Sequence, residues 1–574
     1  MEVTTHLAWD FAEFDRHINS LARGLLGMGV RKGDRVGIVM GNNSSYAMLQ
    51  WACAHIGAIS VTLNPAYRAH ELLHILKLVE VKHLFVVPRI RSSAYVEMLT
   101  EVSPNLKHSK PGDIQCEELP DLKNLVVVDN AGNYQENLAK LHVNSTIDWR
   151  EILIWREDTK ERDLQRQISA SLERDDIINL QFTSGTTGAP KAVSLTHFNL
   201  LNNSMSIGQC MRLTPKDVVC NVPPLFHCFD KLSAGNKVHV PFLTRLVIGN
   251  LATWTHGASV VYPSDIFDPK AIVNALVAER CTALHGVPTH FLGIFAELDK
   301  RQAAGEKVDT STLRTGVAAG SSIPIEMMKK LIDRLNLVDL TIAYGMSRIE
   351  PNKCTSPVSF QTTPADDIIK RVETVGKVGP HIKAKIIDGA GSIVPVGIPG
   401  ELCVAGYPLQ AGYWNDENHT RAVMKPDSNG TLWIHTGDEG IMDEDGYLRI
   451  VGRIKDIIIR GGENLFPVQI ENVLLQRQDI EEASVVSVPD EKYGEVVGAW
   501  IVRKTGTSAS REEIRAVVAQ NMNPQNAPAW VWFLGENGAQ SKLPKTASGK
   551  VQKHILRQWS KDLAKKGIGL VQRV

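Results

Sequence analysis

The chain of 574 residues carries 63 Lys+Arg against 63 Asp+Glu, with 43% hydrophobic and 22% charged residues. That length exceeds what one compact core holds, so two or more domains are expected, and the composition excludes a largely disordered chain. Zero net charge argues against nucleic acid as the main partner, since phosphate binding needs a basic surface.

Phe11 to Met28 has helical spacing through Phe14, Ile18, Leu21 and Leu25, and Arg35 to Met40 is an apolar strand of the buried kind. A helix (Ser45 to Ala54), a strand (Ile59 to Leu63), a helix (Ala69 to Val79) and a strand (His83 to Val87) follow, implying parallel βαβ units. Tyr46 to Leu63 lacks Asp, Glu, Lys and Arg, but Gln50, His55 and Gly57 interrupt it, so it reads as buried helix and strand rather than a membrane span. Residues 100–175 are polar and irregular, with Leu125 to Val128 the one clear strand. The alternation resumes after Leu180 and runs to about residue 365. Past Val375 come short strands with Gly and Asp turns, such as His381 to Ile387 and Glu401 to Val404. A final α+β region follows Arg453, giving domains 1–454 (with a β-rich subdomain, 375–454) and 455–574. Met1 to Arg16 has no apolar core of a signal peptide, and the last residues are not a Ser-Lys-Leu address. Eight cysteines with no CxxC pair suggest neither a zinc site nor a disulfide framework. They fit an intracellular protein, cytoplasmic or mitochondrial, with no transmembrane segment.

The most informative stretch is Thr183-Ser184-Gly185-Thr186-Thr187-Gly188-Ala189-Pro190-Lys191. It follows a strand-like Ile177 to Phe182 and precedes a helix capped by Thr196 or Asn199. Glycines let a loop backbone wrap an anion, hydroxyls add donors and a lysine adds charge. By composition alone it is equally a flexible connector, and it lacks Walker A spacing.

With further motifs in order, this loop resembles the phosphate-binding signature of the adenylate-forming superfamily, medium-chain acyl-CoA synthetase branch. Those motifs are Tyr344-Gly345-Met346, Gly400-Glu401-Leu402, Gly412-Tyr413-Trp414, Thr436-Gly437-Asp438, Gly452 to Asp456, Gly461 to Asn464 and Pro544 to Lys550. Asn64-Pro65-Ala66-Tyr67 and Leu225-Phe226-His227-Cys228 point to the branch. The resemblance implies an α/β fold: a large N-terminal domain of mixed and parallel sheets with helices, plus a small mobile α+β domain. It implies an AMP-forming acyl-CoA ligase that uses ATP, Mg²⁺, CoA and a carboxylic acid. Passing the acyl group to a carrier protein is the alternative, as is an impaired nucleotide- or acyl-binding homologue. The loop from Thr183 to Lys191 is expected to hold phosphates, Gly320-Ser321 and the Tyr344 ring to flank adenine, Gly345 and Ser347 to join the nucleotide site, and Asp438 with Arg453 close by to hold the ribose. Lys550, Thr187 and His227 form the expected catalytic set. Lys455 takes the hinge position, and Gly461-Gly462-Glu463 faces CoA. Val287, Ala318 and Ala319 join His227 in the acyl pocket.

Three departures from the family pattern stand out. Arg348 occupies the place of a metal-binding glutamate, leaving Glu350, two residues late and beside Pro351, as the nearby carboxylate. Arg348 to Cys354 and Asp230 to Arg245 both read as insertions of intron-like sequence between stretches of family text. The chain also begins near the family's first long helix.

Overall fold

A computed structural model describes the chain except residues 4, 92, 183–189, 224, 226–244, 320–322, 324, 346–357, 454–455, 462, 505, 537–538, 545–550 and 572–574, and except the side chains of Arg245, Leu246, Arg453, Asn464 and His554. The described residues form two compact units, one of residues 1–383 and 404–434, the other of 384–403 and 435–571.

The first unit is built on two large sheets. One has eight strands in the order 412–413, 192–196, 177–182, 59–62, 35–39, 83–86, 124–127, 146–148. Its six strands from Ile177–Phe182 onward pair parallel, while Ala192–Thr196 and Gly412–Tyr413 run antiparallel along one edge. Arg35–Val39 and Ile59–Thr62 are buried at every residue, as strands covered on both faces must be, hence their near-continuous apolar text. Helices start where the capping chemistry places them. Asp10 and Glu13 form a capping box for Phe11–Gly27, Asn43 caps Ser44–His55, and Thr196 with Asn199 caps His197–Cys210. The stretch from Tyr46 to Leu63 is a helix followed by a strand, as expected. Among the described residues no helix is long and apolar enough to cross a membrane.

Residues 100–175 hold more structure than their polarity suggests. Helices Tyr134–Leu141 and Lys160–Ala170 and strand Thr146–Asp148 all lie there. Lys160–Ala170 buries one residue, Gln165, whose Nε2 donates to Asn19 Oδ1 at 2.7 Å. Thr146–Asp148 joins the sheet edge by backbone pairing to Leu125–Val127. Leu164 and Ile168 of Lys160–Ala170 and Ile147 of Thr146–Asp148 pack against the core, but so few apolar positions in polar text give a weak periodic signal.

The second sheet has seven strands, ordered 259–261, 218–220, 283–284, 315–319, 339–345, 358–361, 377–378. The first five are parallel, so their carboxyl ends share one edge. Gly316 makes this spacing possible: a Cβ there would lie 1.9 Å from Leu284 O. Beside it, buried His285 accepts the Val317 N–H at Nδ1 (3.1 Å), which puts the ring proton on Nε2. A third sheet of five strands spans residues 382–453.

In the second unit, Ile480–Asp490 and Gly494–Arg503 form a long antiparallel pair, with Trp530–Phe533 parallel to the latter. Helices Pro467–Leu475 and Arg511–Asn521 cover a core of Ile470, Val485, Val497, Ile514 and Val531. Trp500 and Trp532 stack at 5.0 Å; their indole N–H groups donate to Ser560 Oγ and Ile568 O. The six described cysteines are free.

Burial lowers the His285 pKa from 6.5 to about 4. The unfolded chain therefore binds the extra proton first as pH falls. Stability should be unaffected by His285 above pH 6.5 and should drop by about 3 kcal/mol as pH falls from about 6.5 to about 4. His285→Asn keeps an acceptor for Val317 and cannot titrate, so urea unfolding across this range should show a shallower loss in the variant. Equal slopes would refute the assignment.

Candidate active site

In the first unit, the residues expected at the site lie at the carboxyl ends of parallel strands, where open α/β sheets bind ligands. Strand Ala283–Leu284 leads through His285 to Val287, Thr315–Ala319 ends at Ala318 and Ala319, and Asp339–Gly345 ends at Tyr344 and Gly345. Register sets Ala318 beside Ile342 and Ala319 beside Ala343, so neighbouring strands deliver these residues together. Val287, Ala318 and Ala319 are buried. Tyr344 is half-buried, its ring edge-on to Phe360 at 6.4 Å, an aromatic surface suited to a base.

Each loop that bears expected chemistry starts and ends at fixed, neighbouring points. Phe182 pairs with Ala192 on either side of the phosphate-loop sequence, and Lys191 Nζ lies 5.7 Å above the Tyr413 ring. Gly345 pairs with Val358, whose backbone N–H and C=O both bond the buried Asn203 amide, at 3.0 and 2.6 Å. Gly345 and Val358, which flank residues 346–357 with the insertion-like Arg348 to Cys354, are thus neighbours in the sheet. The stretch before the other insertion is clamped by buried Asn42, which donates to Pro223 O (2.7 Å) and accepts the Leu225 N–H (2.6 Å). Asn221 Nδ2 donates to Asn250 Oδ1 at 2.9 Å, tying that stretch to the helical turns Arg245–Leu251 that follow the insertion. Thr183, Ser184, Gly185, Thr186, Thr187, Gly188, His227, Gly320, Ser321, Ser347 and Glu350 lie outside the described residues.

In the second unit, Asp438 on strand Leu432–Met442 pairs in register with Arg453 on Leu448–Arg453. The sequence reading joined these two, and the sheet places them opposite one another. It assigned no role to Glu401, which organises the turn before Asp438. Glu401 Oε1 accepts the Gly437 N–H at 2.8 Å and Oε2 lies 3.0 Å from His435 Nδ1. The positive φ of Gly437, +68°, permits that bend at no steric cost. Thr436 Oγ1 donates to Leu402 O (2.6 Å) and accepts the Asp438 N–H (3.1 Å). Two motifs far apart in sequence are therefore one hydrogen-bonded unit. Glu439, next along the strand, is buried, and burial raises its carboxyl above the ordinary range; strand alternation turns it to the face opposite Asp438.

Gly461 (φ +59°) turns the tight hairpin between Ile458–Arg460 and Glu463–Leu465; Glu463 is exposed and accepts from Gln525 Nε2 at 3.1 Å. Lys455, Gly462 and Lys550 lie outside the described residues, but their neighbours are anchored. Gln552 N–H donates to Pro544 O at 2.7 Å, joining the residues on either side of 545–550. Lys553 pairs with Glu471 at 2.8 Å. Arg557, on the helix following Lys550, pairs with Asp456, the residue after Lys455.

Comparison with known proteins identifies the family. The sequence profile of the AMP-binding enzyme matches residues 3–414, and that of the AMP-binding enzyme C-terminal domain matches residues 469–550. The acyl-CoA ligase sidI of Aspergillus fumigatus is 42% identical over 556 residues, covering 96% of this chain and 87% of its own. The mitochondrial medium-chain acyl-CoA ligase ACSF2 of Bos taurus is 34% identical, over 96% of this chain and 82% of its own. Among solved structures, the amide bond synthetase McbA of Marinactinospora thermotolerans aligns over 98% of this chain and 96% of its own, with a TM-score of 0.73 at 24% identity. ATP-bound MatB of Rhodopseudomonas palustris aligns over 96% and 94%, with a TM-score of 0.70 at 24% identity; at these identities the two share the fold. With one profile spanning most of its length and relatives aligned nearly end to end, the chain belongs to the AMP-binding enzyme family.

Proposed function

We propose that this chain is an ATP-dependent, AMP-forming ligase that joins a medium-chain fatty or related carboxylic acid to CoA. In the first half-reaction a carboxylate oxygen attacks the α-phosphorus of ATP and pyrophosphate leaves. In the second, the CoA sulfur attacks the acyl carbon, AMP leaves, and the thiol proton passes to solvent. The observation that carries the reading is the common edge of the second sheet, where Val287, Ala318, Ala319 and Tyr344 are delivered together by neighbouring strands. Adjacent strand ends that carry small apolar residues and an aromatic ring suit a site for an acyl chain and an adenine. Full-length similarity to acyl-CoA ligases supports the same chemistry.

The roles follow from charge and position. Thr183, Ser184, Gly185, Thr186, Thr187, Gly188 and Lys191 hold the phosphates; negative charge builds there, so fixed donors and a lysine lower the barrier. Gly320, Ser321, Gly345 and Ser347 border the adenine, Asp438 and Arg453 hold the ribose, and His227 borders the acyl group. Mg²⁺ accompanies the nucleotide as charge partner, with Glu350 the carboxylate nearest the motif in sequence. Lys550 bridges carboxylate and α-phosphate as a point charge, Lys455 is the hinge, and Gly461, Gly462 and Glu463 face CoA. Six free cysteines fit a reducing setting, cytoplasmic or mitochondrial.

AMP release measured with ATP, Mg²⁺ and octanoate should require CoA. Turnover only with a carrier protein, or nucleotide binding without turnover, would overturn the reading. Lys550→Ala should abolish acyl-adenylate formation yet spare thioester formation from supplied acyl-adenylate; normal pyrophosphate exchange in that variant would exclude the role. Glu401→Ala should raise the KM for ATP about tenfold or more, the scale of a lost hydrogen bond to a charged group. Glu401→Gln, which keeps the acceptor for Gly437, should lose less; an unchanged KM in both would remove Glu401 from the positioning of Asp438.

A further inference from the structure

Three potential metal ligands converge on the third sheet, although the sequence spacing of the cysteines gave no sign of it. Glu401 and Cys403 are two residues apart on strand Gly400–Gly406, and so share one face. His435 lies on the neighbouring strand Leu432–Met442. One ligand atom from each of the three falls within 4.8 Å of the others. His435 Nδ1 lies 3.0 Å from Glu401 Oε2 and 3.6 Å from Cys403 Sγ. In a tetrahedral site with Zn–N and Zn–O of about 2.0 Å and Zn–S of about 2.3 Å, ligand atoms sit about 3.3–3.6 Å apart, close to the separations found.

We propose that Glu401, Cys403 and His435 bind a borderline-soft divalent cation of the zinc kind, with water in the fourth position. Thiolate, imidazole and carboxylate are the donor set that such an ion takes. Glu401 is pre-oriented, because its other oxygen holds the Gly437 N–H at 2.8 Å. Cys403 is fully buried, while the His435 and Glu401 side chains keep 19% and 17% of their surface exposed, which opens the cluster to solvent on their side. Binding releases the thiol proton, so apparent affinity rises with pH. Because the cluster directly precedes Thr436-Gly437-Asp438, the bound ion fixes the same turn that Glu401 holds.

Co²⁺ titrated into the metal-stripped, full-length chain should produce a thiolate-to-cobalt charge-transfer band saturating at one equivalent, and Zn²⁺ should abolish it. Cys403→Ser should lose the band while Cys116→Ser keeps it, and His435→Gln should weaken Co²⁺ affinity about tenfold or more. A missing band in the wild type, a band that survives Cys403→Ser, or unchanged affinity in His435→Gln would each overturn the site. X-ray absorption on the Zn²⁺-loaded wild type needs no variant to fold. One sulfur with nitrogen and oxygen neighbours supports the site, and a shell with no sulfur, or with more than one, excludes it.

Discussion

Backbone pairing at the feet of the loops is the constraint on which this enzyme's chemistry depends. Phe182 bonds with Ala192 across the phosphate-loop sequence, Gly345 with Val358 across residues 346–357, and Gln552 with Pro544 across the stretch with Lys550. Closing a loop at neighbouring points costs little more when the loop is long, because closure entropy grows only with the logarithm of length. Loops can therefore change length without disturbing the sheet that carries them. That accounts physically for how Asp230 to Arg245 and Arg348 to Cys354 can interrupt family-like text while Asn221, Asn250, Gly345 and Val358 keep an ordered framework around them.

The feet are reinforced by buried polar side chains rather than by apolar packing alone. Buried Asn42 and Asn203 bond backbone groups near a loop or turn, and half-buried Glu401 divides its two oxygens between the Gly437 N–H and His435. A single such bond adds only about 1 kcal/mol net, but leaving its buried partner unsatisfied costs about 1–3 kcal/mol. The asymmetry penalises every alternative register more than it stabilises the native one. Geometry at the site is specified in this way, and an acyl-CoA ligase needs it, since its reaction relies on placing charges already fixed in position.

Much of the framework could be read from local text. Strands buried on both faces announce themselves as apolar runs, and Asp10, Asn43 and Thr196 mark helix starts. Lys160–Ala170 and Thr146–Asp148 were not readable, because Leu164, Ile168 and Ile147 are few apolar positions in polar text, and a Gln–Asn bond and an edge ladder complete their anchoring. At the site, motif order pointed to Tyr344, Asp438 and Arg453, which lie on strands Asp339–Gly345, Leu432–Met442 and Leu448–Arg453. Glu401 and His435 escaped as a pair because their partnership spans two strands and 34 positions of sequence. His285 escaped because one buried histidine in apolar text looks like any core residue.

By itself, the sequence determined the family, the alternation of helix and strand and the residue types available for phosphate, ribose and thioester chemistry, since these rest on local propensity and ordered motifs. Only the tertiary structure decided that Glu401 holds the Gly437 turn, that Asn42 and Asn203 bond backbone groups near the two insertion-like segments, and that ligand atoms of Glu401, Cys403 and His435 lie within 4.8 Å of one another. Hydrogen bonds and ligand geometry depend on distances across strands, and sheet register fixes those distances; no spacing along the chain encodes them.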